Sequence, residues 1–328
     1  MTRLGIVLYH GIDSGADLKE YAGIAEGAGY DSLWVTERYF HEETFSLLGF
    51  LAATTQNIKL GLGVANPYTR NPALLAMASA TLDRISGGRF LLGLGRSERF
   101  VILDKMGIPY SNPLSTMEEA VTIIRDLLAG RRVTSTDGRF RLENIHLETK
   151  PVQTNPPIYL AAIGPKALRL AGAIADGVLL NAYTSIGYVK YAVAEVRKAA
   201  IEAGRDPDSI DIACMLVVRL TDDPGSIWPS LKQRIVRLLE EPHVGEILVE
   251  KGGFDPSILG PLRAAAKTDG GQGAIDLVSD QMVDSFYLVG GASRCNERIA
   301  EYREAGVDLP LLLPRLEDYG KVAQSLFG

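Results

Sequence analysis

Short runs of apolar and β-branched residues alternate along this chain with segments whose apolar positions recur at helical spacing. Leu4 to Tyr9 is the first compact run, and Leu18, Tyr21, Ala22, Ala25 and Ala28 then follow helical spacing up to a stop signal at Gly29. Ser32 to Thr36 predicts a second strand, Phe45 to Thr55 a helix and Ile58 to Val64 a third strand. Pro72 to Ile85 predicts a helix with proline in its favoured first turn. Phe90 to Gly95 predicts strand four. Strand-then-helix units this close together imply parallel strands joined by crossover helices.

Ser115 to Glu118 has capping-box spacing ahead of the apolar face Val121, Ile124, Leu127 and Leu128, and Gly130 ends that helix. Between Arg131 and Gln153 the pattern changes to short polar and apolar alternation, which reads as a small hairpin or a loop excursion. The repeat then resumes: Ile158 to Ala162 as strand, Lys166 to Ala175 as helix, Val178 to Asn181 as strand, Tyr188 to Ala203 as helix and Ile210 to Leu220 as strand. Asp222 to Asp284 interrupts it with prolines and a Gly-rich piece, Gly270-Gly-Gln-Gly273. An insertion of that length usually lies over a site or at an interface. Arg294 to Ala305 is a further helix and Leu309 to Leu313 the eighth strand. The leading fold class is therefore α/β, a (β/α)8 TIM barrel with insertions, formed as one domain over residues 1–328 with a long insertion at about 222–284. An open doubly wound sheet is the runner-up, disfavoured because no Gly-x-Gly-x-x-Gly opens a helix.

Composition narrows what such a barrel does. The chain has 328 residues, 46% hydrophobic and 23% charged, which is ordinary globular usage and admits one large barrel. A net charge of −6 gives no basic surface for nucleic acid. The two cysteines, Cys214 and Cys295, have no Cys-x-x-Cys neighbour, so buried thiols and a cytoplasmic location are expected. Met1-Thr2-Arg3 runs straight into a strand pattern, so no signal peptide is expected, and the apolar runs are too short to span a membrane.

Barrels bind ligands at the carboxyl ends of their strands. That rule selects Tyr9 and His10; Glu37, Arg38 and Tyr39; Gly63, Val64, Ala65 and Asn66; Gly95 and Arg96 to Arg99; Ala162, Ile163, Gly164, Pro165 and Lys166; and Asn181 to Thr184. Glycines such as Gly61 and Gly63 inside a strand mark a bulge or a close backbone approach by a ligand. Pro67 and Pro72 end the strand near Asn66 and leave a polar, aromatic loop through Tyr68, Thr69, Arg70 and Asn71. Glu37 and Glu98 are the strand-end carboxylates, and a dry pocket would raise their pKa enough to hold a proton near neutrality. The plain alternative is a loop carboxylate paired with Arg38 or Arg99. Gly164-Pro165-Lys166 opens a helix whose backbone N–H groups and Lys ammonium suit a phosphate, although an ordinary turn looks the same. His41, His146 and His243 lack ligand spacing, so no metal is expected. Ser97 has no Gly-x-Ser-x-Gly frame, which leaves a hydrolase triad unsupported.

Five motifs in one order carry a resemblance: Asn66-Pro-Tyr-Thr-Arg-Asn-Pro72, Ile85-Ser-Gly-Gly-Arg-Phe-Leu-Leu-Gly-Leu-Gly95, Met106-Gly-Ile with Pro113-Leu, Gly164-Pro-Lys with Leu170-Ala-Gly, and Ala175-Asp-Gly-Val-Leu-Leu-Asn181. Together they resemble the luciferase-like flavin and deazaflavin oxidoreductase superfamily, and within it the methylenetetrahydromethanopterin reductases that use coenzyme F420. The resemblance implies the same barrel and a non-prolyl cis peptide in strand three, which falls on Gly63-Val64. It places cofactor contacts at Glu37, Asn66 and the phosphate-side segment Ile163-Gly164, and a strand-four acid at Glu98. Hydride transfer to or from F420, with Glu98 or Glu37 managing the proton, is the implied activity. FMN-dependent monooxygenation and non-catalytic cofactor binding are the alternatives. Tyr9, Arg38, Arg96 and Asn181 fall on the side of a small-molecule substrate, and relatives imply a homodimer or larger homo-oligomer. Two positions depart from the reductase pattern: Val7 stands where a glutamate is usual, and Glu37-Arg38 replaces Asp-His.

Overall fold

A computed structural model describes residues 3–268 and 271–326. The Met1-Thr2 start of the leader reading and Gly270 of the Gly-rich piece lie outside the described residues. In chain order the elements are β1 (Gly5–Leu8), α1 (Gly15–Gly27), β2 (Ser32–Val35), α2 (Thr44–Thr54), β3 (Lys59–Ala65), α3 (Pro72–Ser86), β4 (Phe90–Leu94) and α4 (Pro113–Leu128). A hairpin of β5 (Val133–Ser135) and β6 (Leu142–Ile145) follows, then β7 (Ile158–Ala162), α5 (Pro165–Ile174), β8 (Gly177–Leu180), α6 (Ile186–Glu202) and β9 (Asp211–Leu220). The insertion carries α7 (Pro224–Glu240), α8 (Val244–Lys251), α9 (Leu259–Ala265), α10 (Gln272–Leu277) and α11 (Asp280–Phe286). The chain ends with β10 (Leu288–Gly290), α12 (Ala292–Glu304), β11 (Leu309–Leu313) and α13 (Tyr319–Ser325).

Parallel pairing runs β1-β2-β3-β4-β7-β8-β9-β11, and β11 returns to β1 through Gly5 opposite Leu311, which closes an eight-stranded (β/α)8 barrel. The excursion after α4 is the antiparallel β5-β6 hairpin. Three-residue β10 pairs only with the upper end of β9, Leu288 lying opposite Val218; the sequence pattern gave no sign of it. One expectation is corrected. The fourth helix starts at Pro113 with Asn112 as N-cap at φ 44° and no side-chain cap, so there is no capping box at Ser115. Proline at the first helical position has its φ preset and no N–H to be satisfied. The helix therefore begins earlier, and the Ser115 hydroxyl turns back to donate to the Asn112 carbonyl at 3.1 Å.

Strand alternation sorts the apolar residues into two layers. On β9, Ile212, Cys214, Leu216 and Val218 face the helices, whereas Ala213, Met215 and Val217 face the barrel interior. The interior layer includes Val7, Trp34, Leu179 and Met215 and continues without a break into Leu231, Ile235, Leu262, Met282 and Phe286 of the insertion. The insertion is thus packed against the barrel's own core. Both cysteines are buried free thiols, and burial pushes Cys214 up to about 12 and Cys295 up to about 11. Helix α1 contains an opposite case: a Cβ placed at Gly23 would meet nothing within 4 Å. Gly23→Ala is therefore expected to stabilise the fold by about 0.5–1 kcal/mol through backbone entropy, read as a higher denaturation midpoint at unchanged slope.

Candidate active site at the barrel mouth

Strand β3 bends where its glycines predicted a bulge. Leu62 lies opposite Leu92 but Ala65 lies opposite Leu94, so β3 spends one more residue than β4 over the same span. The Gly63–Val64 peptide in this bulge is cis. Two glycines of the neighbouring strand make room for it. A Cβ at Gly95 would lie 2.6 Å from Val64 Cγ2, and one at Gly93 would lie 1.9 Å from the Leu62 carbonyl oxygen. Beneath the bulge, a Cβ at Gly63 would reach Met215 Cε at 3.1 Å, so the interior core forms its floor.

The loop after β3 is organised by Asn66, which is buried. Its Oδ1 accepts from the amides of Tyr68 at 2.9 Å and Thr69 at 3.0 Å, and its Nδ2 donates to Thr69 Oγ1 at 3.0 Å and to the Tyr39 hydroxyl. All four hydrogen-bonding positions of the amide are filled from within the chain. Asn66 therefore shapes the loop, and its side chain has no free position for a ligand. The Tyr39 hydroxyl passes the chain of bonds on to Ser97 Oγ at 2.8 Å, and burial pushes the Tyr39 pKa up to about 12.

The two strand-end carboxylates stand in different surroundings. The Glu37 side chain is only 8% exposed and is held by Arg70 from the β3 loop, not by Arg38. Arg70 also donates to Glu43 Oε1 at 2.7 Å, which fixes the guanidinium between two acids. Glu37 Oε2 is buried and has no hydrogen-bond partner among the described residues. Burial raises the Glu37 pKa above the ordinary carboxylate range, and the bond to Arg70 only partly offsets it. Glu98 is exposed, just ahead of a π-helical turn at Phe100–Lys105 that the sequence did not announce. The dry pocket expected for both acids is present at Glu37 alone, and the anticipated Glu98–Arg99 pair is replaced by Arg99 with Asp104 at 3.5 Å. Removing the Arg70 cation by Arg70→Met is expected to shift the Glu37 titration further upward and to lower stability by about 2–4 kcal/mol. Carboxyl-carbon NMR titration and denaturant unfolding read the two effects.

The remaining candidates divide around the mouth. Arg38 is exposed and donates to the Tyr9 hydroxyl at 2.9 Å, with its other close contact at His10 Nε2, 2.8 Å away. Arg96 donates to the Tyr110 hydroxyl at 3.0 Å, and Asn181 is exposed after β8. Val7 is fully buried in the interior layer beside Trp34 and Met215. At the end of β7, Ala162 is buried, Ile163 and Gly164 are half-buried and Pro165 opens α5. Gly164 gives α5 no side-chain cap and Pro165 has no N–H; the amides of Ala167 and Leu168 both donate to the Gly164 carbonyl at 3.0 Å, which leaves the Lys166 N–H of the first turn for an anionic oxygen. Lys166 is exposed and lines a shallow groove on the outer helix layer with Arg169, Leu170 and Glu202. No helix among the described residues is long and apolar enough to cross a membrane.

A closed parallel barrel with its polar groups gathered at the carboxyl ends of β1, β2, β3, β4, β7 and β8 defines the class: a (β/α)8 barrel with a strand-end ligand site. The chain belongs to the luciferase-like monooxygenase family, whose pattern matches residues 1–309. It is 37% identical to a 5,10-methylenetetrahydromethanopterin reductase of Methanolobus tindarius over 291 residues, 88% of this chain and 87% of that protein. The enzyme of the same name from Archaeoglobus fulgidus is 35% identical over 295 residues, 89% of this chain and 87% of the relative. Among solved structures, the coenzyme F420-dependent tetrahydromethanopterin reductase of Methanopyrus kandleri superimposes with a TM-score of 0.85 at 28% identity, covering 99% of this chain and 97% of that one.

Proposed function

We propose that this protein is a coenzyme F420-dependent oxidoreductase that moves a hydride between the deazaflavin and a small organic substrate, on the methylenetetrahydromethanopterin reductase plan with an altered substrate side. The observation that carries the reading is Glu37, a buried carboxyl with one unpartnered oxygen at the end of β2, in a chain 37% identical to a reductase of that name. A buried polar atom normally has a partner. A ring edged with N–H and carbonyl groups supplies one, and the half-exposed Gly63–Val64 backbone offers a surface free of any side chain at Gly63. The present residues therefore fit the coenzyme. Glu37 and the Gly63–Asn66 segment would hold the ring with Gly95 behind them, and the Ala162–Lys166 segment would hold the phosphate at the N-terminus of α5.

When bound, the deazaflavin supplies its C5 carbon as hydride donor or acceptor. The chain supplies positioning and proton control. Trp34, Leu179 and Met215 seal the floor of the mouth against water. Glu37, with its raised pKa, holds the proton that accompanies hydride transfer, and Arg70 keeps it in place. Glu98, in water, is the reserve candidate for that proton. Tyr9, Arg38, Arg96 and Asn181 face the substrate. Arg38 carries a guanidinium, which pairs with an anion and does not serve as a general acid.

The deciding experiment titrates oxidised and reduced F420 and, separately, FMN into the purified protein. Micromolar F420 binding with FMN at least about tenfold weaker is expected. Preference for FMN would transfer the chain to the monooxygenase reading. Tight F420 binding without hydride exchange across a panel of carbonyl and imine compounds would make it a non-catalytic binder.

A further inference from the structure

Strand β9 carries an arginine to the mouth and provides it with no acid. Alternation on β9 turns Ala213, Met215 and Val217 inward, so Arg219 is the next inward position, about 13 Å along the strand from Met215 at the usual rise per residue. Its guanidinium donates to the Val218 carbonyl at 2.6 Å, the preceding residue of its own strand. Arg315, at the end of the neighbouring strand, takes Glu317 at 2.9 Å and Asp318 at 3.0 Å, and among the described residues no carboxylate forms an ion pair with Arg219. Burial pushes the Arg219 pKa below the usual arginine value. A half-buried cation without a counter-ion is unfavourable unless something anionic meets it.

Arg234 repeats the pattern from the insertion. It comes from α7, its Nε lies 3.4 Å from the Tyr183 hydroxyl and its guanidinium carbon 5.9 Å from that ring, and it too forms no ion pair among the described residues. Tyr183 follows β8 at φ 65° and packs edge-on against Tyr287 at 5.2 Å. The β9–β10 pairing sets Arg219 opposite Val289, two residues beyond Tyr287 on the strand that Tyr287 leads into, so the tyrosine pair that meets Arg234 lies next to the Arg219 end of β9.

We propose that Arg219 and Arg234, with Tyr183 beside them, form a subsite that recognises a carboxylate or phosphate group on the substrate, a proposal that rests on the oxidoreductase reading of the same mouth. The coenzyme's own phosphate is the other source of that chemistry. Barrel order argues for the substrate: β9 lies four strands round from β3 and its bulge, and two strands beyond β7, where the Lys166 amide at the start of α5 already suits a phosphate. The two arginines come from β9 and from the insertion, so the anion site and the packing of the insertion are coupled.

Calorimetric titration of succinate and of inorganic phosphate into the F420-loaded protein tests the subsite. Millimolar binding of at least one probe is expected. Arg219→Met and Arg234→Met should each weaken it about tenfold or more, with the F420 dissociation constant within about twofold of the parent. Probe binding absent from the parent, or equal in parent and variants, overturns the subsite. So does an Arg219→Met variant that loses F420 affinity by the same factor, since the anion is then the coenzyme's. Should Arg219→Met fail to fold, Arg219→Gln and Arg234→Met carry the same comparison. Probe binding by a parent that takes FMN and not F420 supports the subsite and overturns the coenzyme assignment alone.

Discussion

Glu37→Gln is expected to lower turnover by about a hundred- to ten-thousandfold, the range over which a positioned acid–base group acts, and to weaken F420 by much less, about tenfold, through the one ring contact that Glu37 would make. Glutamine keeps the shape and one acceptor oxygen but cannot exchange a proton. The direction of the pH dependence follows from the raised pKa. In the direction that reduces the substrate, the protonated carboxyl is the useful form, so the rate falls as pH rises through the Glu37 pKa. In the reverse direction the ionised form is useful, and the rate falls as pH drops through it. Both inflections lie above the ordinary carboxylate range, and both vanish in Glu37→Gln. The same proton is linked to stability. The folded chain binds it more tightly than the unfolded chain, so stability from this group is gained as pH falls through the folded pKa, and the penalty is complete at pH above it. A variant with parental turnover would pass the proton role to Glu98.

The second large effect is expected at Gly93. A methyl there would stand 1.9 Å from the Leu62 carbonyl oxygen and 3.0 Å from Val64 Cγ1. Neither neighbour is a flexible side-chain end that can swing aside, since one is backbone and the other sits within the bulge. Gly93→Ala must therefore push β3 and β4 apart, at about 1–3 kcal/mol or more, with a melting temperature lower by about 5 °C and F420 affinity lost together with the displaced Gly63–Val64 segment. Gly95→Ala meets the Val64 side chain at 2.6 Å and should weaken the coenzyme with a smaller loss of stability. Parental melting and parental F420 binding in Gly93→Ala would show that the bulge is not the coenzyme's support.

The barrel was legible because each barrel strand is a short apolar run that must be covered on both faces, and α1, α3, α4, α5 and α6 start at a proline or stop at a glycine. The bulge was legible through Gly61 and Gly63. The partner of Glu37 was not, since Arg38 is adjacent in sequence whereas Arg70 arrives from 33 positions away. Glu98 and Glu37 looked alike as strand-end acids, and only the packing separates a buried carboxyl from one in water. The false capping box at Ser115 had the right spacing, but Pro113 had already set the helix start. Arg219 looks in sequence like the polar end of an apolar strand; inward alternation, continued by four residues from Met215, is the signal that marks it.

Closing the barrel joins β1 to β11, the first and last strands among the described residues. Because β1 takes β2 on one side and β11 on the other, a nascent chain emerging from the ribosome carries a bare edge on β1 until residues 309–313 have been made. An exposed strand edge is a template for pairing with another chain, so a transcript truncated anywhere before Leu309 yields a split cylinder prone to intermolecular pairing.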